Sequence, residues 1–172
     1  MVLQRNSKVC IWGSSQPDKS VVVKFQDQKI STTSDINGKW KLYLNNLKEG
    51  GPYKMYLIQG QDSLVLKDIL VGEVWLAGGQ SNMQFRLDKE KNWDKYKDSI
   101  DNKSIRYLFV PQKYYEGHTV KDSIFIWRDA VKDKAKKMSA VAYFFAKELY
   151  SKLNVPIGII CDYKGGTPAE SW

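Results

Sequence analysis

The chain has 172 residues, of which 42% are hydrophobic and 13% aromatic, enough apolar content to bury a core and too much aromatic content for a disordered chain. Its net charge of +8 invites a nucleic-acid reading, but acidic residues are interleaved nearly everywhere, and only four of the 27 basic residues are Arg. No run of eighteen apolar residues points to a membrane span, and Met1-Val2-Leu3-Gln4-Arg5 shows no basic segment leading into an apolar one, so no signal peptide is visible.

The densest basic patch, Lys132, Lys134, Lys136 and Lys137, reads as a solvated face. Cys10 and Cys161 lie far apart without CxxC spacing, so neither a structural metal nor a cofactor is expected. Each sits in an apolar run and reads as a buried free thiol rather than half of a bridge.

In chain order, residues 1–70 read as β structure. Val21, Val23 and Phe25 alternate with Val22 and Lys24; Trp40, Leu42 and Leu44 with Lys39, Lys41 and Tyr43; Tyr53, Met55 and Leu57 with Lys54, Tyr56 and Ile58. A period of two with one apolar face predicts half-buried antiparallel strands. Turn formers at Gln16-Pro17-Asp18, Asn37-Gly38 and Gly50-Gly51-Pro52 separate them, and the spacing suits a small β-sandwich.

Near residue 70 the pattern changes. Glu73-Val74-Trp75-Leu76-Ala77 predicts a short apolar strand ending at Gly78-Gly79. Residues 86–104 are charged and predict a surface helix or loop, and Ile105 to Val110 another strand. Ser139 to Asn154 is the clearest helix. Its polar residues Lys147, Glu148, Ser151 and Lys152 form a narrow stripe, which predicts a mostly buried helix. Val155 to Cys161 follows as an apolar strand, so a parallel β/α arrangement is expected. Thr167-Pro168-Ala169-Glu170 is a capping box, which announces a helix just before the sequence stops at Trp172. That stop inside a first helical turn reads as truncation.

Ser81 leads the residues that could carry chemistry. It follows an apolar strand and two glycines in Gly78-Gly79-Gln80-Ser81-Asn82-Met83, and a serine on a tight turn past a strand's C-terminal end sits where α/β active sites lie. From spacing alone, an ordinary strand-to-helix turn with Ser as N-cap is the commoner reading. Gly165-Gly166-Thr167 repeats the pattern, as an oxyanion-binding turn or a plain tight turn. Both segments follow predicted parallel strands and are therefore expected to converge. A serine nucleophile needs a base. The sole histidine, His118, lies in a turn-like stretch and reads as a surface residue, and no spacing selects among Asp88, Asp94, Asp122 and Asp162.

These residues resemble a known family. Gly72-Glu73-Val74-Trp75-Leu76 followed by Gly79-Gln80-Ser81-Asn82-Met83 is similar to the nucleophile block of the sialate O-acetylesterases, SGNH-type serine hydrolases that remove acetyl groups from carbohydrates. Met1-Val2-Leu3-Gln4-Arg5, Asn37-Gly38-Lys39-Trp40, Gly50-Gly51-Pro52-Tyr53, Ser139 to Phe145, and Val155 to Ile160 leading into Gly165-Gly166-Thr167-Pro168 match in family order.

The resemblance implies an α/β chain, with a β-sandwich over 1–70 and the first, incomplete part of an SGNH-like parallel β/α hydrolase domain over 71–172. It implies Ser81 as nucleophile, an oxyanion hole from the Ser81 N–H and the Gly165-Gly166 pair, with Gly166 favoured, and Gln80, Asn82 and Met83 shaping the turn and pocket floor. The family's later blocks, a Gln-bearing segment and an Asp-x-His segment that completes the triad, do not occur here. An O-acetylated sugar is the implied partner, with no nucleic acid and no membrane, and a secreted, periplasmic or lysosome-like location is implied for the family. Trp93, Tyr96, Tyr107, Tyr114, Tyr115 and Trp127 are available to stack on sugars, although packing is the plainer role. The competing reading is a non-catalytic carbohydrate-binding or structural fragment.

Overall fold

A computed structural model describes residues 1–111 and 125–168. The chain divides into two compact units, Val2–Gly72 and Glu73–Trp172, the second joined by Met1. It is a mixed α/β structure with mostly sheet cores.

The N-terminal unit holds β1 (Val2–Gln4), β2 (Val9–Ser14), β3 (Ser20–Phe25), β4 (Gln28–Thr33), β5 (Lys39–Leu44), β6 (Gly50–Gln59) and residues 62–72 of β7 (Asp62–Gly79). Four strands run in the order β4-β3-β6-β7, with β1 parallel to β7, while β2 and β5 form a separate antiparallel pair. The sequence alternation sets the faces. Val21, Val23 and Phe25 of β3 are buried, as are Trp40, Leu42 and Leu44 of β5, and the residues between them point outward. Both β3 and β5 thus have one apolar face.

β7 runs for 18 residues, well beyond the short strand expected at 73–77. Its alternation breaks at Lys67-Asp68, where Asp68 takes a left-handed φ of 59° and a pairing irregularity falls between the flanking Leu66 and Ile69. That bulge hides the strand from a periodicity reading.

In the C-terminal unit, residues 73–79 of β7, β8 (Asp101–Phe109), β9 (Trp127–Val131) and β10 (Ile157–Tyr163) pair in the order β7-β10-β8-β9. β10 is parallel to both neighbours, pairing Ile157 with Glu73 and with Ile105. One-turn helices α1 (Ser81–Gln84), α2 (Trp93–Tyr96) and α3 (Lys132–Ala135) punctuate this unit, and β8 starts at Asp101, four residues ahead of the expected Ile105, because the polar Asp101 and Asn102 pair with Val131 and Ala130. Arg106, the one nearly buried charge among the described residues of this sheet region, is matched by Asp129 at 3.3 Å. Of the basic patch, Lys132 pairs with Asp98 and Lys134 with Asp129, on an exposed face.

The helix α4 (Ala140–Leu153) is capped as its sequence specifies. The Ser139 hydroxyl accepts from the Ala142 N–H at 3.2 Å, and Asn154 takes the left-handed conformation that ends it. Its burial corrects the sequence reading. Ala140, Ala142, Tyr143 and Ala146 are buried, whereas Val141, Phe144, Phe145 and Leu153 are exposed. The three alanines and Tyr143 face the core, whereas Phe144 and Phe145 lie at its margin, touching the rings of Tyr96 and Trp75 and staying 40% and 42% exposed. Periodicity reports hydrophobicity and cannot report a missing partner. Among the described residues no helix is long and apolar enough to cross a membrane.

The same deficit affects β7. Among the described residues, Trp75 to Gly79 pair only with β10, and Trp75 and Leu76 are 45% and 66% exposed. An open strand edge beside an exposed apolar helix face is an expected site of early opening. Native-state amide exchange should be faster in residues 73–79 of β7 and in α4 than in β3. Equal protection in the two units would contradict this.

Cys10 and Cys161 are both free; Cys161 is buried, but Cys10 is only half-buried, short of the burial expected for it. Desolvation pushes the Cys161 thiol up to about 12, so little thiolate forms below that pH. Alkylation of the native chain near pH 8 should therefore mark Cys10 well before Cys161, with both reacting in denaturant, as peptide mass mapping would read.

Candidate active site

The site is assembled where β7 and β10 end side by side. Parallel pairing carries through Tyr163 opposite Gly79, and the Lys164 N–H donates to the Gly79 carbonyl at 3.0 Å. Two loops thus leave the same sheet end, one carrying Gln80-Ser81 and the other Gly165-Gly166, as α/β crevices require.

At the first loop the chain turns sharply into α1 (Ser81–Gln84). Gly79 has φ 144°, and a side chain there would approach the Met83 Cβ to 3.3 Å, so the turn needs glycine. Met83 packs against the core, and its sulfur accepts from the Ser139 hydroxyl at 3.4 Å. With Met83 fixed inward, Ser81 and Asn82 lie exposed. The segment that follows is tied to the start of α4, since the Ala140 N–H donates to Phe85 O and the Leu87 N–H to Met138 O, both at 2.8 Å.

The second loop lies against Ser81. A Cβ built on Gly165 would sit 3.5 Å from Ser81 Cα and 3.6 Å from Ser81 Cβ. Two glutamines hold the loop there. Gln84 Oε1 accepts from the Gly165 N–H at 2.7 Å, and Gln80 Nε2 donates to Thr167 O. Gly165 therefore has its N–H engaged and no room for a side chain, because Gln84 Oε1 lies 2.8 Å from where the Cβ would be. Gly166 differs. Its φ is 79°, its surroundings are open, and its N–H meets no protein acceptor among the described residues. The Ser81 N–H is equally unengaged.

The predicted residues Gln80, Ser81, Asn82, Gly165 and Gly166 thus come together in one place. Gln84 was absent from the sequence reading. Its partner lies 81 positions away, and an exposed amide in a four-residue helix carries no sequence signal. The acidic candidates are not gathered at Ser81. Asp88 pairs with Arg86, Asp94 pairs with Lys97 at 2.6 Å, and Asp162 occupies the register position beside Gly78. His118 and Asp122 lie outside the described residues, as do Tyr114, Tyr115 and the end of the capping box. Of the remaining aromatics, Tyr107 is buried, Trp93 and Tyr96 pack against the core, and Trp127 is half-buried in β9. Among the described residues no group of three His, Cys, Asp or Glu side chains is arranged to hold a metal.

Comparison with known proteins adds identity to this geometry. Residues 71–172, more than half of the chain, match the family described as carbohydrate esterase, sialic acid-specific acetylesterase. The chain is 30% identical to the sialate O-acetylesterase of Homo sapiens and 31% identical to that of Mus musculus, over its whole length in each case. It spans 36% and 35% of those two proteins. The crystal structure of a carbohydrate acetylesterase from Xanthomonas citri superposes on 99% of the chain with a TM-score of 0.93 at 34% identity, the chain covering 39% of that protein. The chain belongs to the sialic acid-specific acetylesterase family of carbohydrate esterases.

Proposed function

We propose that this chain contributes the nucleophile half of a serine esterase that removes O-acetyl groups from carbohydrates, with O-acetylated sialic acids as the favoured substrates. The observation that carries the reading is the apposition of exposed Ser81 and the Gly165-Gly166 turn, within van der Waals reach of each other at one end of the parallel strands.

In this reading Ser81 Oγ attacks the acetyl carbonyl and forms a bond to its carbon. The bond from that carbon to the sugar oxygen then breaks, and the serine proton, held by a base, goes to the departing sugar hydroxyl. Water repeats the sequence on the acetyl-enzyme and releases acetate. The Ser81 N–H and the Gly166 N–H stabilise the oxyanion, since neither meets an acceptor among the described residues, while Gly165 serves as the close-packed hinge held by Gln84. Gln80 and Asn82 border the substrate. The base belongs to an Asp-x-His segment of the family type, which does not occur among these 172 residues. Without a base the isolated 172 residues turn over poorly. The proposed division is a β-sandwich over 1–70 and the nucleophile-bearing part of the hydrolase domain over 71–172. A secreted, periplasmic or lysosome-like location accords with substrates on exported glycans.

The test is acetate release from O-acetylated sialic acid by the full-length gene product, paired with a fluorophosphonate probe whose adduct is mapped by peptide mass spectrometry. An adduct on Ser81 together with acetate release supports the reading. Acetate release with the adduct elsewhere removes Ser81 from the mechanism.

A further inference from the structure

We propose that the outer face of the β2–β5 pair is a binding site for a carboxylated sugar, with Trp12 as its stacking platform and Lys39 and Lys41 as counter-charges to the carboxylate. The choice of a sugar rests on the carbohydrate reading above; the site itself lies wholly within the N-terminal unit.

Trp12 is 74% exposed on a strand whose partner buries its own tryptophan. The register explains the contrast. Gly13 lies opposite Trp40 on the inner face, and a Cβ on Gly13 would come within 2.8 Å of the Trp40 ring. The core is therefore already filled by Trp40, and Trp12 must point outward. It sits directly opposite Lys41, and the next outward pair is Ser14 and Lys39. Directly opposed residues of an antiparallel pair share a face, so the Trp12 and Lys41 side chains leave the sheet side by side.

A cleft of about 600 Å³ opens there, lined by Trp12, Thr32, Thr33, Asp35, Lys39 and Lys41 among others. That size suits a monosaccharide or disaccharide. Its charge is specific. Asp35 Oδ1 accepts from the Asn37 and Lys39 backbone N–H groups, both at 2.8 Å, so its carboxylate is committed to the turn. Lys39 Nζ donates to Ser14 Oγ at 2.7 Å, and among the described residues no carboxylate pairs with Lys39 or Lys41. The cleft thus offers two lysines that are in no ion pair among the described residues, against the single carboxylate of Asp35, beside a flat aromatic ring. The electron-rich indole face attracts the C–H face of a pyranose, and the lysines fix its carboxylate. Thr32 and Thr33 bring hydroxyls to the rim.

The test uses the isotope-labelled full chain, with N-acetylneuraminate as the acidic probe and N-acetylglucosamine as the neutral one. The Trp12 indole N–H resonance is identified by its absence in Trp12→Ala, a change at an exposed position. Added N-acetylneuraminate should shift that resonance. Lys41→Glu should weaken the acidic sugar about ten-fold and leave the neutral sugar unchanged. Trp12→Ala should weaken both, and salt should weaken only the acidic one. An unmoved Trp12 resonance, or equal affinities in wild type and both variants, overturns the proposal. So does a self-association lost in Trp12→Ala with sugar affinity unchanged, because the face would then be a contact between copies. Labelling of Ser81 is read separately, so a chain that is labelled there but binds no sugar at Trp12 fails this proposal alone.

Discussion

Ser81→Ala is expected to lower acetate release by the full-length gene product by about 10⁴- to 10⁶-fold, the range of losses when a serine hydrolase forfeits its nucleophile. The substitution removes only the hydroxyl. Ser81 is exposed, so no core packing is lost, and its backbone N–H stays at the start of α1. The fold and the two proposed oxyanion donors should survive, leaving substrate affinity nearly unchanged while kcat collapses. A variant that keeps more than about a tenth of the rate would exclude covalent catalysis through Ser81.

Gln84→Leu tests the second element of the site. Gln84 is the acceptor for the Gly165 N–H at 2.7 Å and so fixes the loop that carries Gly166. Leucine keeps the bulk and removes the acceptor, so the Gly165 amide of this exposed hydrogen bond turns to water instead and the loop loses its tie. Displacing one oxyanion donor is expected to cost kcat on the order of 10- to 100-fold, with little change in KM. Two further readouts separate this from general destabilisation. The Gly165 amide should lose its exchange protection in Gln84→Leu, and Gln84→Glu, which retains an acceptor, should recover that protection. Because Glu also sets a negative charge near the developing oxyanion, it should not recover the full rate. Unchanged Gly165 protection in Gln84→Leu would show that the loop is held by other contacts.

Much of this arrangement was legible in the sequence, for reasons visible in particular residues. β3 and β5 could be read because Val21, Val23 and Phe25, and Trp40, Leu42 and Leu44, pack against one core face. The ends of α4 could be read because Ser139 and Asn154 are the residue types its caps need. β4 carried no such pattern. Gln28 to Thr33 is polar apart from Ile30, and its pairing with β3 makes it a strand. The exposed side of α4 reads as core because Val141, Phe144 and Phe145 are as apolar as core residues, and only the three-dimensional structure reveals that Phe144 and Phe145, though they touch the rings of Tyr96 and Trp75, stay partly open. At the site, the strand-glycine-serine and strand-glycine-glycine patterns are local and were found. The Gln84 to Gly165 bond and the Trp12 to Lys41 pairing join distant parts of the chain, and neither leaves a local trace.

In the proposed mechanism Ser81, set in one glycine turn and facing another, carries the acetyl group, and that intermediate can be trapped. The full-length gene product, mixed with an O-acetylated sialic acid and acid-quenched within a turnover, would be digested and its peptides weighed. The account predicts an acetyl group on Ser81 that is absent from Ser81→Ala. Acetate released at an undiminished rate by Ser81→Ala would contradict it.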